Sequence, residues 1–215
     1  MINRYTKFPP AEWALFSTKA TTTANITIRT KSGSQFKVDW GDGTITSHTN
    51  NATASKTYAT AYFGVVKITS ANGKLTDIDG IQSSAGAWNF DISIIASQCT
   101  AMTSTIYFYG NAMTLTGDMK FSAINTTYCY INGTANNISY TSGRVWKNMT
   151  MLYTRLLTAH FTATEVDNIF IDLNNSPLVI GAGTIDLRGN SAPPTVASLT
   201  ARNSLVTKGK TLLYN

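Results

Sequence analysis

The chain has 215 residues, 43% of them hydrophobic and 11% aromatic, enough to bury a core in one large domain or two small ones. Only 13% are charged, against about 25% in an average domain, so Thr, Ser and Asn must supply the polar surface. The formal net charge of +6 comes from basic residues scattered singly, with Lys208 and Lys210 the closest grouping. That argues against the basic stripe of a nucleic-acid binder.

The N-terminal stretch MINRYTKFPPAEWALF holds Pro9-Pro10 and reads as an arm over residues 1–13, because proline resists regular ladders. It has no apolar core of signal-peptide length, and nowhere does the chain approach about 18 consecutive apolar residues. The expectation is a protein that does not cross a membrane and, if Met1 is the natural start, does not leave by the usual export route. Next, Ile26 and Ile28 alternate with Asn25, Thr27 and Arg29, the pattern of a half-buried strand. Phe36, Val38 and Trp40 repeat that period, with Lys37 and Asp39 facing away. Thr44 to Thr46 and Val65 to Ile68 add two more β-favouring runs.

Between them lies Gly41-Asp42-Gly43. Glycine tolerates positive φ and aspartate bonds its own turn backbone, so the spacing predicts a hairpin corner. A calcium site would need six or more oxygens, and Asp39 and Asp42 offer only two carboxylates. Four short strands in about 60 residues predict a small β-sandwich.

The stretch VDWGDGT followed by SKTYATAYFGVVKIT resembles a PKD-type domain, an immunoglobulin-like β-sandwich. An aromatic-ended strand, Gly-Asp-Gly-Thr, and a later tyrosine (Tyr58) ahead of Val66-Lys67-Ile68 carry the resemblance. It covers residues 14–73 and implies a binding or spacer module without catalytic residues.

Past Asn72-Gly73 the texture changes. IYFYGN (106–111) and IDLRGN (185–190) share the form apolar-x-apolar-x-Gly-Asn; YCYING (128–133) is a weaker copy and MLYTRLL (151–157) a further candidate. IYFYGN and YCYING begin 22 residues apart, a spacing found in leucine-rich-type coils. Thr162 and Glu165 form a capping-box pattern, and Val166, Ile169, Phe170 and Leu173 follow at helical spacing, with an end at Asn174-Asn175. Pro193-Pro194 is expected to open a second helix, with Val196, Leu199 and Val206 as its apolar side and Gly209 as its stop. KTLLYN then closes the chain as a strand. Residues 74–215 resemble the irregular leucine-rich-like repeats of Bacteroidetes surface proteins and of their phages, which implies a solenoid. The expected fold class is therefore mixed β and α/β, a sandwich followed by a repeat solenoid.

Little in the chain points to chemistry. Two histidines, His48 and His160, and two cysteines make no zinc cluster, and no nucleotide-binding or serine-hydrolase motif occurs. Cys99 and Cys129 are too few for a disulfide framework, and whether they pair stays open. His48 reads as a solvated loop histidine. A glycosidase needs two carboxylates, but Asp77 and Asp79 read more simply as a turn before Gly80, while Glu165, Asp167 and Asp172 belong to the helix. No catalytic residue, cofactor or metal is expected.

Aromatics give the functional hint. Tyr107 and Tyr109 alternate with Ile106 and Phe108, and Tyr128 and Tyr130 make a neighbouring row. If the aliphatic partners fill the core, the four tyrosines offer a ligand-binding ladder for a sugar face or a protein partner. The expectation is a virion structural protein of a phage: a capsid decoration, head fibre or tail-associated subunit assembled in the host cytoplasm. Its partners would be other virion proteins, a host glycan and further copies of itself. The alternatives are a bacterial surface adhesin or glycan-binding module and, last, a fragment of a carbohydrate-active enzyme.

Overall fold

The computed structural model describes residues 12–18, 21–83, 88–99, 105–119, 128–146, 153–155, 160–177 and 181–215. In the first half β1 (Ala14–Thr18), β2 (Thr21–Thr30), β3 (Phe36–Asp39), β4 (Ile45–His48), β5 (Thr53–Tyr62) and β6 (Val65–Ser70) build two antiparallel layers. One has the order β4-β3-β6-β1, and in the other β2 pairs with β5. Alternation directs the core, as Ala24, Ile26, Ile28, Phe36, Val38 and Trp40 are fully buried while Asn25, Thr27, Lys37 and Asp39 are not.

Two features differ from the sequence reading. Thr53–Tyr62 is a strand, which alternation hides because Lys56 stands in phase with buried Ala54 and Tyr58. His48 ends a strand instead of lying in a loop. Its ring stacks on Phe36 at 5.3 Å, its Nε2 bonds the Thr46 hydroxyl at 2.7 Å, and burial lowers its pKa. Residues 1–11 of the expected arm lie outside the described residues. Glu12 is fixed, its N–H donating to Gly73 O and its carboxylate accepting the Leu75 N–H.

Strands that follow residues 73 and 74 pair with strands that precede them. A 3-10 turn, Leu75–Asp77, leads into β7 (Ile78–Ser83), so the turn expected before Gly80 holds Asp77, while Asp79 lies in the strand. β7 pairs with β2; β8 (Trp88–Asp91) pairs with β1 and is followed by α1 (Ile92–Gln98). β9 (Thr105–Asp118) then joins both layers. Its first half pairs with β7 and its second half with β8, all in parallel. β10 (Tyr128–Ser139) runs parallel to β9 along nearly its whole length.

From there β11 (Tyr153–Arg155), β12 (Gly183–Asp186) and β13 (Lys210–Leu213) add further parallel strands. Ile81, Ile106, Cys129, Thr154, Ile185 and Leu212 are successive register partners in six consecutive strands of this stack. The protein is thus mixed and mostly β, with three short α-helices among the described residues, all after residue 91.

The helix α2 (Ala163–Asn175) begins at the Thr162–Glu165 capping box and buries Val166, Ile169, Phe170 and Leu173. The last helix departs from expectation. Thr195 caps a 3-10 turn, Val196–Ser198, that runs into α3 (Leu199–Thr207), so Pro193-Pro194 precedes the helical segment without opening it. Val196, Leu199 and Val206 are exposed; Ser198, Ala201 and Leu205 face the protein instead. Helical spacing reveals an apolar stripe but not which side a neighbour covers. Gly209, at φ +89, ends the helix, and its N–H donates to Val206 O.

Candidate functional site

The corner after β3 is built from short side chains. Gly41 and Gly43 adopt φ of +79 and +88. Asp39 Oδ1 accepts the Gly41 N–H at 3.0 Å, and Asp42 Oδ1 accepts from both the N–H and the hydroxyl of Thr44. The other Asp42 oxygen pairs with Lys56 Nζ at 2.7 Å, pinning the corner to β5. Bonding to Lys56, then to Thr44, pulls the Asp42 carboxyl down to about 2.

Beside this corner an open groove of about 750 Å³ runs along β5, lined by Asp42 and residues 56–63. β5 pairs only with β2 among the described residues. Between its register partners Thr57 and Tyr62 the strand bulges, because the matching partners on β2, Thr23 and Thr21, are only two residues apart. Tyr58 and Tyr62 stack at 4.5 Å with 15° between their planes. Buried Tyr58 donates its hydroxyl to Trp40 O, and desolvation, with Tyr62 and Asp42 nearby, holds its pKa well above the usual tyrosine range. Phe63 at the end of the groove is 72% exposed. A half-buried tyrosine, an exposed phenylalanine and the hydroxyls of Thr57 and Thr60 suit the C–H face and hydroxyl rim of a sugar ring.

Asp42 makes this corner pH-sensitive. A carboxyl whose folded pKa lies below its unfolded value of about 3.9 contributes stability above that value and loses it as pH falls through the folded pKa. Melting the Asp42→Asn variant beside the parent between pH 5 and 2 is expected to show a gap that narrows from about pH 4 toward 2.

The tyrosines singled out in the sequence fall elsewhere. Tyr107 and Tyr130 are register partners on β9 and β10, Tyr109 is opposite Asn132, and Tyr128 lies between Thr105 and Tyr153. All four positions are one residue out of phase with the row of buried Ile81 and Ile185. Their side chains lie outside the described residues, as does that of Cys129. Cys99 is a buried free thiol whose pKa burial pushes up to about 12. His160 is exposed.

All eleven carboxylates are described and all are engaged. Ten of them accept a backbone N–H: Glu12, Asp39, Asp42, Asp77, Asp91, Asp118, Glu165, Asp167, Asp172 and Asp186. Asp79 pairs with Arg29 at 3.4 Å. Asp77 takes bonds from Ser32, Ser34 and Asn72, and so secures a turn. Burial opposes ionisation of Asp167, but bonds from Ser198 and Thr195 outweigh it and its pKa is lowered.

Among the described residues no three His, Cys, Asp or Glu side chains gather as a metal would require, and no helix is long and apolar enough to cross a membrane. The groove on β5 was not read from the sequence, and of the carboxylate bonds only the local ones were, at the Asp42 turn and the Thr162–Glu165 box; those of Glu12, Asp77, Asp118, Asp167 and Asp172 join residues far apart in the chain, which no local pattern marks. Comparisons with protein-family models, with curated proteins and with solved structures each return no match.

Proposed function

We propose that the chain is a non-catalytic display protein, a PKD-like β-sandwich continued by a leucine-rich-like solenoid, carried on a bacteriophage particle as a capsid decoration, head fibre or tail-associated subunit. The use of the carboxylates is the observation that carries the non-catalytic reading. General acid–base chemistry needs a carboxyl free to take and give a proton, with its pKa drawn toward neutrality. Here the acids hold backbone N–H groups and ion pairs, and Asp42 and Asp167 are shifted the opposite way.

The solenoid reading is supported by the in-register parallel strands and by bonds between stretches one repeat apart. Asp118 bonds Thr141, Glu165 bonds Tyr140, Asp172 bonds Arg144 and Asp167 bonds Thr195. Such nearest-neighbour stitching is how a stack of coils holds together. The resemblance of both halves to modules of surface and phage proteins supplies the virion assignment. The surface poor in charge fits assembly into a larger particle.

The decisive experiment is mass spectrometry of purified particles from an infected host, with antibody labelling to locate the protein. Stoichiometric presence on the capsid or tail is expected. Recovery only with the host envelope would overturn the virion assignment and favour an adhesin.

The groove on β5 favours a glycan as the displayed surface's ligand. Glycan-array binding by the whole protein is expected to fall about tenfold or more for Phe63→Ala, since truncating an aromatic anchor of a binding surface costs about 2 kcal/mol. Retained binding in that variant would place the ligand elsewhere.

A further inference from the structure

The groove on β5 ends in a corner that the first strand holds in place. Thr18, fully buried at the end of β1, shares its hydroxyl proton between Tyr62 O and Gly64 O, at 3.3 Å each. Its oxygen accepts the Gly64 N–H at 3.1 Å, and its own N–H donates to Gly64 O at 2.9 Å. Phe63 stands between these tied residues, so the backbone on either side of it is fixed while its ring stays in water. An aromatic displayed in that way loses little freedom when a ligand covers it.

Tyr62 is fixed as firmly. Its ring stacks on Tyr58 and fills the space of two missing side chains. A Cβ on Gly41 would stand 2.2 Å from the Tyr62 hydroxyl, and one on Gly64 would stand 2.2 Å from that hydroxyl and 2.4 Å from Cζ. Gly64 does not have a positive φ, so the ring and not the backbone requires glycine there. The two stacked tyrosines differ at their tips. Tyr58 donates to Trp40 O, whereas the Tyr62 hydroxyl makes no hydrogen bond among the described residues. A polar group so closely positioned and left unbonded is suited to a ligand.

We propose that Tyr62 selects the ligand: its hydroxyl bonds a hydroxyl of an uncharged pyranose whose C–H face lies on Phe63, with Thr18 and Gly64 as positioning residues. This rests on the glycan reading of the groove. Charge sets the class of sugar. The lining has one ammonium and one carboxylate, Lys56 and Asp42, and they are 2.7 Å apart. An anionic sugar would have to draw Lys56 from Asp42, and a cationic one would have to draw Asp42 from Lys56. An uncharged sugar leaves the pair intact and meets the hydroxyls of Thr57 and Thr60. A peptide added as a strand fits less well, because strand addition needs an evenly spaced edge. Here residues 58–61 stand against Thr22 alone.

The test is an array of neutral pyranosides, uronic acids, sialosides, sulfated sugars and extended peptides, probed with the whole protein. The parent is expected to prefer neutral pyranosides. Tyr62→Phe keeps the ring and the stack, and is expected to weaken that binding about tenfold through the lost hydrogen bond. Thr18→Val is expected to weaken it roughly threefold or more, because Phe63 and Tyr62 must then be ordered on binding, and Thr18→Ser is expected to restore it. Melting temperatures of the same variants separate this loss from a loss of folded protein. Neutral-sugar binding that Phe63→Ala abolishes and Tyr62→Phe leaves unchanged overturns the selecting role and keeps the glycan reading. A preference for acidic sugars overturns the assignment of class. Binding of peptides alone, or of nothing, overturns the glycan reading itself.

Discussion

Replacing Gly41 by alanine is expected to lower stability by about 3 kcal/mol or more, and the melting temperature by roughly 6–12 °C for a chain of this length. Two causes add. A φ of +79 strains any side-chain-bearing residue. The new Cβ would also stand 2.2 Å from the Tyr62 hydroxyl and 2.3 Å from the Val65 carbonyl oxygen. The tyrosine could swing aside, but it stacks on Tyr58, and the carbonyl belongs to the backbone of β6. Gly43 is the control, with φ +88 and open space where its Cβ would go. Gly43→Ala should therefore cost only the backbone term, about 1–2 kcal/mol. Thermal melts of both variants give the contrast, and equal losses would show that crowding by Tyr62 contributes nothing.

This corner also shows how far the sequence could be read. Gly41-Asp42-Gly43 is a local signal, since glycine frequency and the reach of Asp42 to Thr44 depend only on neighbours. The alternation of Ile26 with Ile28 and the Thr162–Glu165 box are local in the same sense, and each placed its element. The β5 groove is not local. Tyr62 fills the space over Gly41, 21 positions away, and the bulge that shapes the groove exists only because β2 steps by two where β5 steps by five.

The α3 stripe failed for a related reason. Val196, Leu199 and Val206 are larger and more apolar than Ser198 and Ala201, so intrinsic hydrophobicity pointed to the wrong side. The packed side combines small Ser198 and Ala201 with Leu205, and which side α2 covers is seen only once the helices are placed. The parallel register was partly legible through the repeated Gly-Asn phrases. Its continuation into Tyr153–Arg155 depends on β10 as a template more than on any pattern in those three residues.

Bonds between successive stretches of the second half lead to the second large effect, the loss expected when Asp172 is removed. Its Oδ2 accepts the Arg144 N–H and the Tyr140 hydroxyl, both at 2.9 Å, and that hydroxyl in turn accepts the Trp146 indole N–H. Trp146 is fully buried, and Tyr140 and Asp172 are 3% and 7% exposed. Asp172→Ala leaves two donors without their acceptor in a region that water does not reach freely. At about 1–3 kcal/mol for each such group, the expected loss is about 3–5 kcal/mol. Asp172→Asn keeps an oxygen of the right size, so its loss should be smaller, about 1–2 kcal/mol, reflecting the weaker bond to a neutral acceptor. Tyr140→Phe breaks the same chain at its middle. The double variant Asp172→Ala, Tyr140→Phe should therefore lose less than the two single losses added together, because one bond is counted in both. Denaturant midpoints of the four proteins measure that coupling. Strict additivity would mean that Tyr140 and Asp172 act separately, and that packing of Trp146, Phe170 and Leu173, not the carboxylate, holds this part of the stack.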